Sequence, residues 1–258
     1  MPTTNNANYL WIEHFHSALS PTGRAGFVMA NSASDARGSE ETIRRKLIEE
    51  KSVDVMVSVG TNMFFNVTLP CTLWFLDRGK SEKRKNQVLF LDAKNIFRQI
   101  DRAHREWTAE QTEYLANIVR LYREEDVEDF ASLLRSRADT LETLATETPA
   151  SADTLRKQAE IARNLAIEWT KNFPDRKYAD IRGLCKIATI EEISAQGYSL
   201  NAGRYVGVDE SNEEAYDFSE RFSTLTEEFR TLTQEAHELE SIIFKNAEEI
   251  LSPQIETE

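Results

Sequence analysis

An α/β domain followed by a helical part is the fold class that this 258-residue sequence predicts, and three observations point to it. Within the first hundred residues, short runs rich in Val, Leu and aromatic side chains alternate with segments of helical period, as in a sheet flanked by helices. After Trp107 the strand-like runs give way to helical periodicity. From Phe218 to Ile250 apolar residues recur with a strict 4-3 spacing, the seam of a long coiled-coil-type helix.

The elements follow in chain order. YLWIEHFHSAL (9–19) predicts a helix whose inward stripe is Leu10, Trp11, His14, Phe15, Ala18 and Leu19, ended by SPTG. AGFVMA (25–30) reads as a short buried strand. Ser39 is placed as the N-cap of the next helix, with Glu40 and Glu41 at its positive end and Ile43, Leu47 and Ile48 facing inward. VDVMVSV (53–59), CTLWFL (71–76) and QVLFLDA (87–93) are three further strands. The turn-prone DRGKSEKRKN between the last two predicts that they pair antiparallel. Helices are expected over 109–123, 126–145 and 152–172, the last two forming a hairpin about TPAS. Residues 180–208, with glycines at 183, 197, 203 and 207, read as irregular. Three segments result: 1–107, 108–208 and 209–258.

Charge is unevenly spread over a formal net of −13. Residues 209–258 hold 15 acids against 3 bases, and residues 78–105 hold 9 bases against 3 acids. So acidic a chain is not a free-standing DNA binder. The basic stretch from Lys80 to Arg105 fits either phosphate contacts or a solvated charged face. The tail seam comprises Phe218, Phe222, Leu225, Phe229, Leu232, Ala236, Leu239, Ile243 and Ile250, with Asn246 as its polar exception. Glutamates crowd its flanks, so a parallel self-pair would oppose like charges; a partner with basic flanks fits better. An amphipathic helix folded back on its own domain is the competing reading.

No apolar run reaches the ~18–20 residues of a membrane helix, and no signal-peptide pattern opens the chain. Cys71 and Cys185 stand apart outside any CxxC pair, as expected of reduced core thiols in a cytoplasmic protein. His14 and His16, two apart on a helix, face different ways, and no metal site is expected. The chain contains no GxG, no Walker loop, no HExxH and no GxSxG, so no self-sufficient catalytic constellation is legible. One local feature stands out. Phe64 and Phe65 occupy the polar connection in VGTNMFFNVTLPCTLWFL, where an apolar pair either packs under a neighbouring loop or waits for a ligand.

NNANYLWIEHF, LSPTGRAGFVMAN, ETIRRKLIEEKSVDVMVSVGTNMFFNVTLPCTLWFLDRGK, LFLDAKNIFRQIDRAHREWT and LNAGRYVGV together resemble, in order, the C-terminal portion of the modification subunit of type I restriction–modification systems. These are adenine-N6 DNA methyltransferases that use S-adenosylmethionine. The departures are Ala202, where the family usually has proline, and a long 126–173 hairpin. The family's glycine-rich cofactor loop and its catalytic NPP-aromatic motif precede the resembling region, and neither occurs in this sequence. The resemblance therefore implies the C-terminal half of a Rossmann-like methyltransferase sheet, inactive alone, with AGFVMA left at an unpaired apolar edge.

For particular residues the resemblance implies roles. Phe64 matches the aromatic that contacts an adenine flipped out of the duplex, and Phe65 adjoins it. Asn8, Tyr9 and Trp11 resemble the segment that closes the S-adenosylmethionine pocket, although packing of a helix on the sheet explains Tyr9 and Trp11 equally well. The acidic seam resembles the helical region that docks on the DNA-specificity subunit. The implied partners are that subunit, the restriction subunit and double-stranded DNA. The alternative is a non-catalytic subunit that binds the specificity subunit through the C-terminal helix.

Overall fold

The computed structural model describes residues 7–65, 67–101 and 104–208, and in the tail positions 222, 226, 229, 230, 233, 236, 237, 239, 240, 243 and 244. In order, the elements are α1 (Asn8–Ser17), β1 (Arg24–Ala30), a 3-10 turn (Asn31–Ser34), α2 (Ser39–Glu49), β2 (Val53–Val59), β3 (Cys71–Asp77) and β4 (Gln87–Asp92). There follow β5 (Arg98–Gln99), β6 (Arg105–Glu106), α3 (Ala109–Tyr122), α4 (Phe130–Glu147), α5 (Ala152–Asn172), β7 (Cys185–Thr189), α6 (Ile190–Ala195) and α7 (Gly203–Val206). A five-stranded sheet in the order β1-β3-β2-β4-β7 forms the middle layer, and β5 and β6 make a separate small hairpin.

Alternation along the strands assigns the two faces. Val55, Val57, Leu89 and Leu91 point to one side and share a core with Tyr114, Ile118, Phe130, Leu134 and Trp169 of α3, α4 and α5. Met56, Trp74, Leu76 and Phe90 point to the other and are covered by Tyr9, Ile12, Leu47, Ile48, Leu200 and Tyr205. The helical segment therefore packs directly on the sheet, and residues 1–209 form one compact unit. Residues 210–258 form the other.

The 25–30 strand forms as β1 but is not a buried one, since only Met29 of it is buried and Val28 is half exposed, as befits a strand at the sheet's margin. Four further expectations are corrected. β3 and β4 do not pair: β2 lies between them, antiparallel to β3 and parallel to β4. A fully buried β2 needs a neighbour on each side, and the connection after β3 supplies the fastening. There the Lys80 ammonium donates to the carbonyls of Val53 (2.8 Å) and Gln87 (2.5 Å), holding together the first residues of β2 and β4. Secondly, α1 buries Tyr9 and Ile12, whereas Leu10 and Trp11 are more than half exposed. A ten-residue helix apolar on two sides offers two stripes. Tyr9 wins because its hydroxyl finds buried partners in the Ala33 carbonyl (2.6 Å) and Arg44 (3.1 Å).

Thirdly, the supposedly irregular 180–208 segment contains β7, which pairs antiparallel with β4 from Gln87↔Thr189 to Leu91↔Cys185, and the short helices α6 and α7. Fourthly, Gly38 rather than Ser39 caps α2; its positive φ of 70° is available to glycine, and no side-chain cap bond forms. Glu40 and Glu41 do lie in the first turn, and Ile43, Leu47 and Ile48 are buried.

At the entry to the helical layer, Thr108 and Gln111 form a reciprocal capping box. Thr108→Ala removes one side of it and is expected to cost about 1 kcal/mol. In a unit of this size the midpoint of thermal unfolding should fall by roughly 2–4 °C. An unchanged midpoint in a calorimetric scan would show that α3 is held by packing alone.

Candidate functional site

β1, β2 and β4 run in one direction, so their carboxyl ends, at Ala30, Val59 and Asp92, share one edge of the sheet. Ligands of open α/β sheets bind beyond such ends. The 60–70 connection that carries Phe64 and Phe65 leaves from this edge. Gly60 is needed there, because a Cβ would lie 2.8 Å from the Lys94 carbonyl oxygen.

The loop is built by its backbone. Asn62, in the left-handed region at φ 65°, donates its N–H to the Thr68 carbonyl (3.3 Å) and accepts from the Arg105 N–H (2.8 Å). The Val67 N–H reaches the Phe64 carbonyl at 3.4 Å. These bonds clamp the loop tip on the β5–β6 hairpin and leave both phenylalanines at the surface. Phe65 is 85% exposed, and Phe64 is 41% exposed.

The two rings have different surroundings. Phe65 lies nearly parallel to the His104 imidazole, with centroids 5.3 Å apart and planes 15° apart. His104 is oriented by the Asp101 carboxylate, 2.8 Å from Nδ1. Phe64 instead lines an apolar pocket of about 500 Å³ with Val28, Met29, Val67, Leu69 and Pro70, within the usual size range of small-ligand sites. The pocket opens beside β1, which among the described residues pairs only with β3 and stands at the edge of the sheet. Val28, Val67 and Leu69 are each about half exposed or more.

Tyr9 and Phe64 come to opposite sides of the Asn31–Ser34 turn: Asn31 and Ser32 line the pocket, and Ala33 accepts from Tyr9. The Tyr9 ring stands edge-on to Trp74 at 6.3 Å, and burial pushes its hydroxyl pKa up to about 12. Both its ring and its hydroxyl are thus spent inside the core, supporting the pocket wall from behind. Trp11 is exposed and touches His14 and Phe15, and Asn8 is half-buried. The three side chains thus meet different surroundings, Tyr9 in the core and Trp11 toward solvent. Among the described residues no group of three or more His, Cys, Asp or Glu side chains converges on a metal position.

The structure also breaks up the basic stretch. Lys80 and Arg84 are buried, and Lys83, Lys85, Lys94 and Arg98 are each paired with a carboxylate. Among the described residues this stretch is therefore largely a solvated, ion-paired surface around two buried cations rather than a continuous phosphate track. Sequence reasoning passed over His104, Val28, Val67 and Leu69. Only the Phe-Phe pair itself signalled the site: Val28 arrives from β1 and His104 from the hairpin, and Val67 and Leu69 are ordinary apolar residues of the same connection.

In the tail, the described seam positions Phe222, Phe229, Ala236, Leu239 and Ile243 are helical and exposed, the four larger side chains by 60% or more. Phe218, Leu225, Leu232 and Ile250 lie outside the described residues. No helix among the described residues is long and apolar enough to cross a membrane.

Comparison with known proteins gives a consistent picture. The chain is 33% identical over 208 residues to the type I restriction enzyme MjaIX methylase subunit of Methanocaldococcus jannaschii, covering 81% of this chain and 29% of that protein. It is 31% identical over 246 residues to the HindI methylase subunit of Haemophilus influenzae, covering 95% and 44% respectively. It therefore spans less than half the length of either relative. In fold it resembles the type I restriction-modification methyltransferase subunit of Streptococcus thermophilus, with a TM-score of 0.55 at 20% identity over 81% of this chain and 32% of that one. Residues 1–214, which include the whole sheet and the Phe64–Phe65 loop, match the N-6 DNA Methylase family, and the chain belongs to that family.

Proposed function

We propose that the chain supplies the C-terminal part of a site-specific, S-adenosylmethionine-dependent adenine-N6 DNA methyltransferase of a type I restriction–modification system. The observation that carries this reading is the Phe64–Phe65 loop, held open at the carboxyl edge of the sheet beside an apolar pocket and the unpaired side of β1. An adenine turned out of the duplex presents two flat faces, and stacking on an aromatic ring is worth roughly 1–3 kcal/mol. Phe65 offers a ring face at the surface, and Phe64 offers the apolar wall beside it.

In this reading the three segments divide the work. Residues 1–107 form the target-base side of the methyltransferase sheet. Residues 108–208 brace it, and residues 209–258 dock on the DNA-specificity subunit. Tyr9 supports the pocket wall from the core, and a companion segment bearing a glycine-rich loop and an NPP-aromatic motif holds S-adenosylmethionine. That segment adds its strand to the free side of β1. Double-stranded DNA and the restriction subunit join in the full assembly. A second reading, a non-catalytic subunit that binds the specificity subunit, draws on the exposed Phe222, Phe229, Leu239 and Ile243.

Reconstitution separates the two. The chain alone should neither bind S-adenosylmethionine in a calorimetric titration nor methylate duplex DNA. Adding the preceding part of a relative such as the HindI methylase subunit, together with a specificity subunit, should restore transfer to adenine N6. Micromolar binding of S-adenosylmethionine by the chain alone overturns the half-enzyme reading. Specificity-subunit binding without restored methylation favours the second.

A further inference from the structure

At the other edge of the sheet, where β2 begins and β3 ends, a cleft of about 530 Å³ is lined by Glu50, Lys51, Ser52, Arg78, Lys80 and Lys85 among others. β2 has seven residues, so at ~3.3 Å per residue this cleft is roughly 20 Å from the Phe64 loop and is a separate place. Four cations face a single carboxylate there, in a chain with a formal charge of −13.

The surroundings offset only part of this charge: Asp54 and Asp77 act on Lys80 from behind, and Glu82 acts on Lys51 and Lys85. Glu50 is shared with His16 and Lys46, each at 3.7 Å, and Lys85 is paired with Glu82. Among the described residues, neither Lys51 nor Arg78 has a carboxylate partner within 4.0 Å; Arg78 gives one N–H to the Leu19 carbonyl at 2.8 Å. The end of α2 does not call for so many cations. Its carbonyls of Lys46, Leu47 and Ile48 accept from the N–H groups of Glu50, Ser52 and Lys51, and a helix terminus amounts to about half a charge.

Lys80 supplies a second, independent observation. It is 5% exposed, and its ammonium has three N–H bonds, of which two reach the Val53 and Gln87 carbonyls. Two acceptors leave this ammonium capacity for one more, and Lys80 lines the cleft. Burial pulls the Lys80 pKa down to about 8, so this charge is held at a cost that an anion would offset.

We propose that this cleft binds a phosphate-type oxyanion, with Arg78 as the bidentate fork, Lys51 and Lys85 as flanking charges and Lys80 donating from beneath. The group could arrive on a compact ligand, such as a pyrophosphate or the phosphate tail of a nucleotide, or on the backbone of a nucleic acid. Neither assignment depends on the methyltransferase reading.

The test is calorimetric titration of the full chain with inorganic pyrophosphate and, separately, with a short duplex oligonucleotide. Lys51→Gln/Arg78→Gln is compared with a control, Lys157→Gln/Lys171→Gln, of equal charge loss on exposed helical surface. Pyrophosphate binding that weakens ~10-fold or more in the first variant alone, at an unchanged melting temperature, supports a compact phosphate ligand. Duplex binding that weakens in the same selective way, without competition from pyrophosphate, supports a backbone phosphate. The proposal is overturned if neither probe binds at millimolar concentration, or if both variants lose the same amount.

Discussion

Replacing Asp54 with alanine is expected to lower the stability of the 1–209 unit by about 3–5 kcal/mol, the range found when one partner of a buried ion pair is removed. Asp54 is fully buried in the middle layer. One carboxylate oxygen accepts from Arg84 Nη1 at 2.9 Å and the other from Arg123 Nη2 at 2.7 Å, and the Tyr122 hydroxyl approaches at 3.3 Å. Arg84 comes from the connection between β3 and β4, and Arg123 from the end of α3, so one side chain ties sheet, connection and helical layer together. Alanine would leave two largely buried guanidinium groups without their counter-charge. Asparagine keeps the volume and one acceptor, so Asp54→Asn should lose less than Asp54→Ala but more than 1 kcal/mol. Urea unfolding read by circular dichroism decides it, and Asp54→Ala/Arg123→Ala should cost less than the two single changes added together. A loss below 1 kcal/mol for Asp54→Ala would mean that both arginines find water, and that the cluster contributes nothing to cohesion.

The same residue shows what the sequence hid. VDVMVSV reads as a buried strand, and it is one. Yet Asp54 occupies a bulge, since Val53 pairs with Leu76 and Val55 with Phe75, so the acid is extra to the ladder and re-aimed. Periodicity reports which runs are strands but not such a shift of register, nor the partners at positions 84 and 123. The strand and helix positions were legible because they rest on local apolar spacing. Strand order was not, because it depends on Lys80 reaching back to Val53, a contact across 27 residues. β7 escaped notice for a related reason. CKIAT is short, carries a lysine, follows a glycine-containing turn and runs straight into α6, so only its pairing with β4 identifies it as a strand. At the candidate site the Phe-Phe anomaly was visible, but the His104 ring beside it was not. Their contact is made by the Asn62–Arg105 backbone bond, which no side-chain pattern encodes.

That contact divides the two phenylalanines into different experiments. Phe65→Ala removes a ring that is 85% exposed, so stability should change by less than about 0.5 kcal/mol. If the ring stacks on a flipped adenine, the reconstituted methyltransferase should lose roughly 1–3 kcal/mol of transition-state stabilisation, which is about 5- to 150-fold in kcat/KM. Phe65→Trp should retain most of the activity, since the face matters and not the identity. Phe64→Ala should lower both quantities, because it empties part of the wall shared with Val28 and Val67. Its stability cost should stay below the ~3–5 kcal/mol of a fully buried phenylalanine, as Phe64 is already 41% exposed. His104→Ala separates occupancy from scaffolding. The His104 imidazole lies along one face of Phe65, and a base using that face competes with it. Removing it should then lower KM for DNA while leaving kcat unchanged, whereas a base using the opposite face would lose a supporting ring and KM would rise. Parental kcat/KM in both Phe64→Ala and Phe65→Ala would remove the loop from the chemistry altogether.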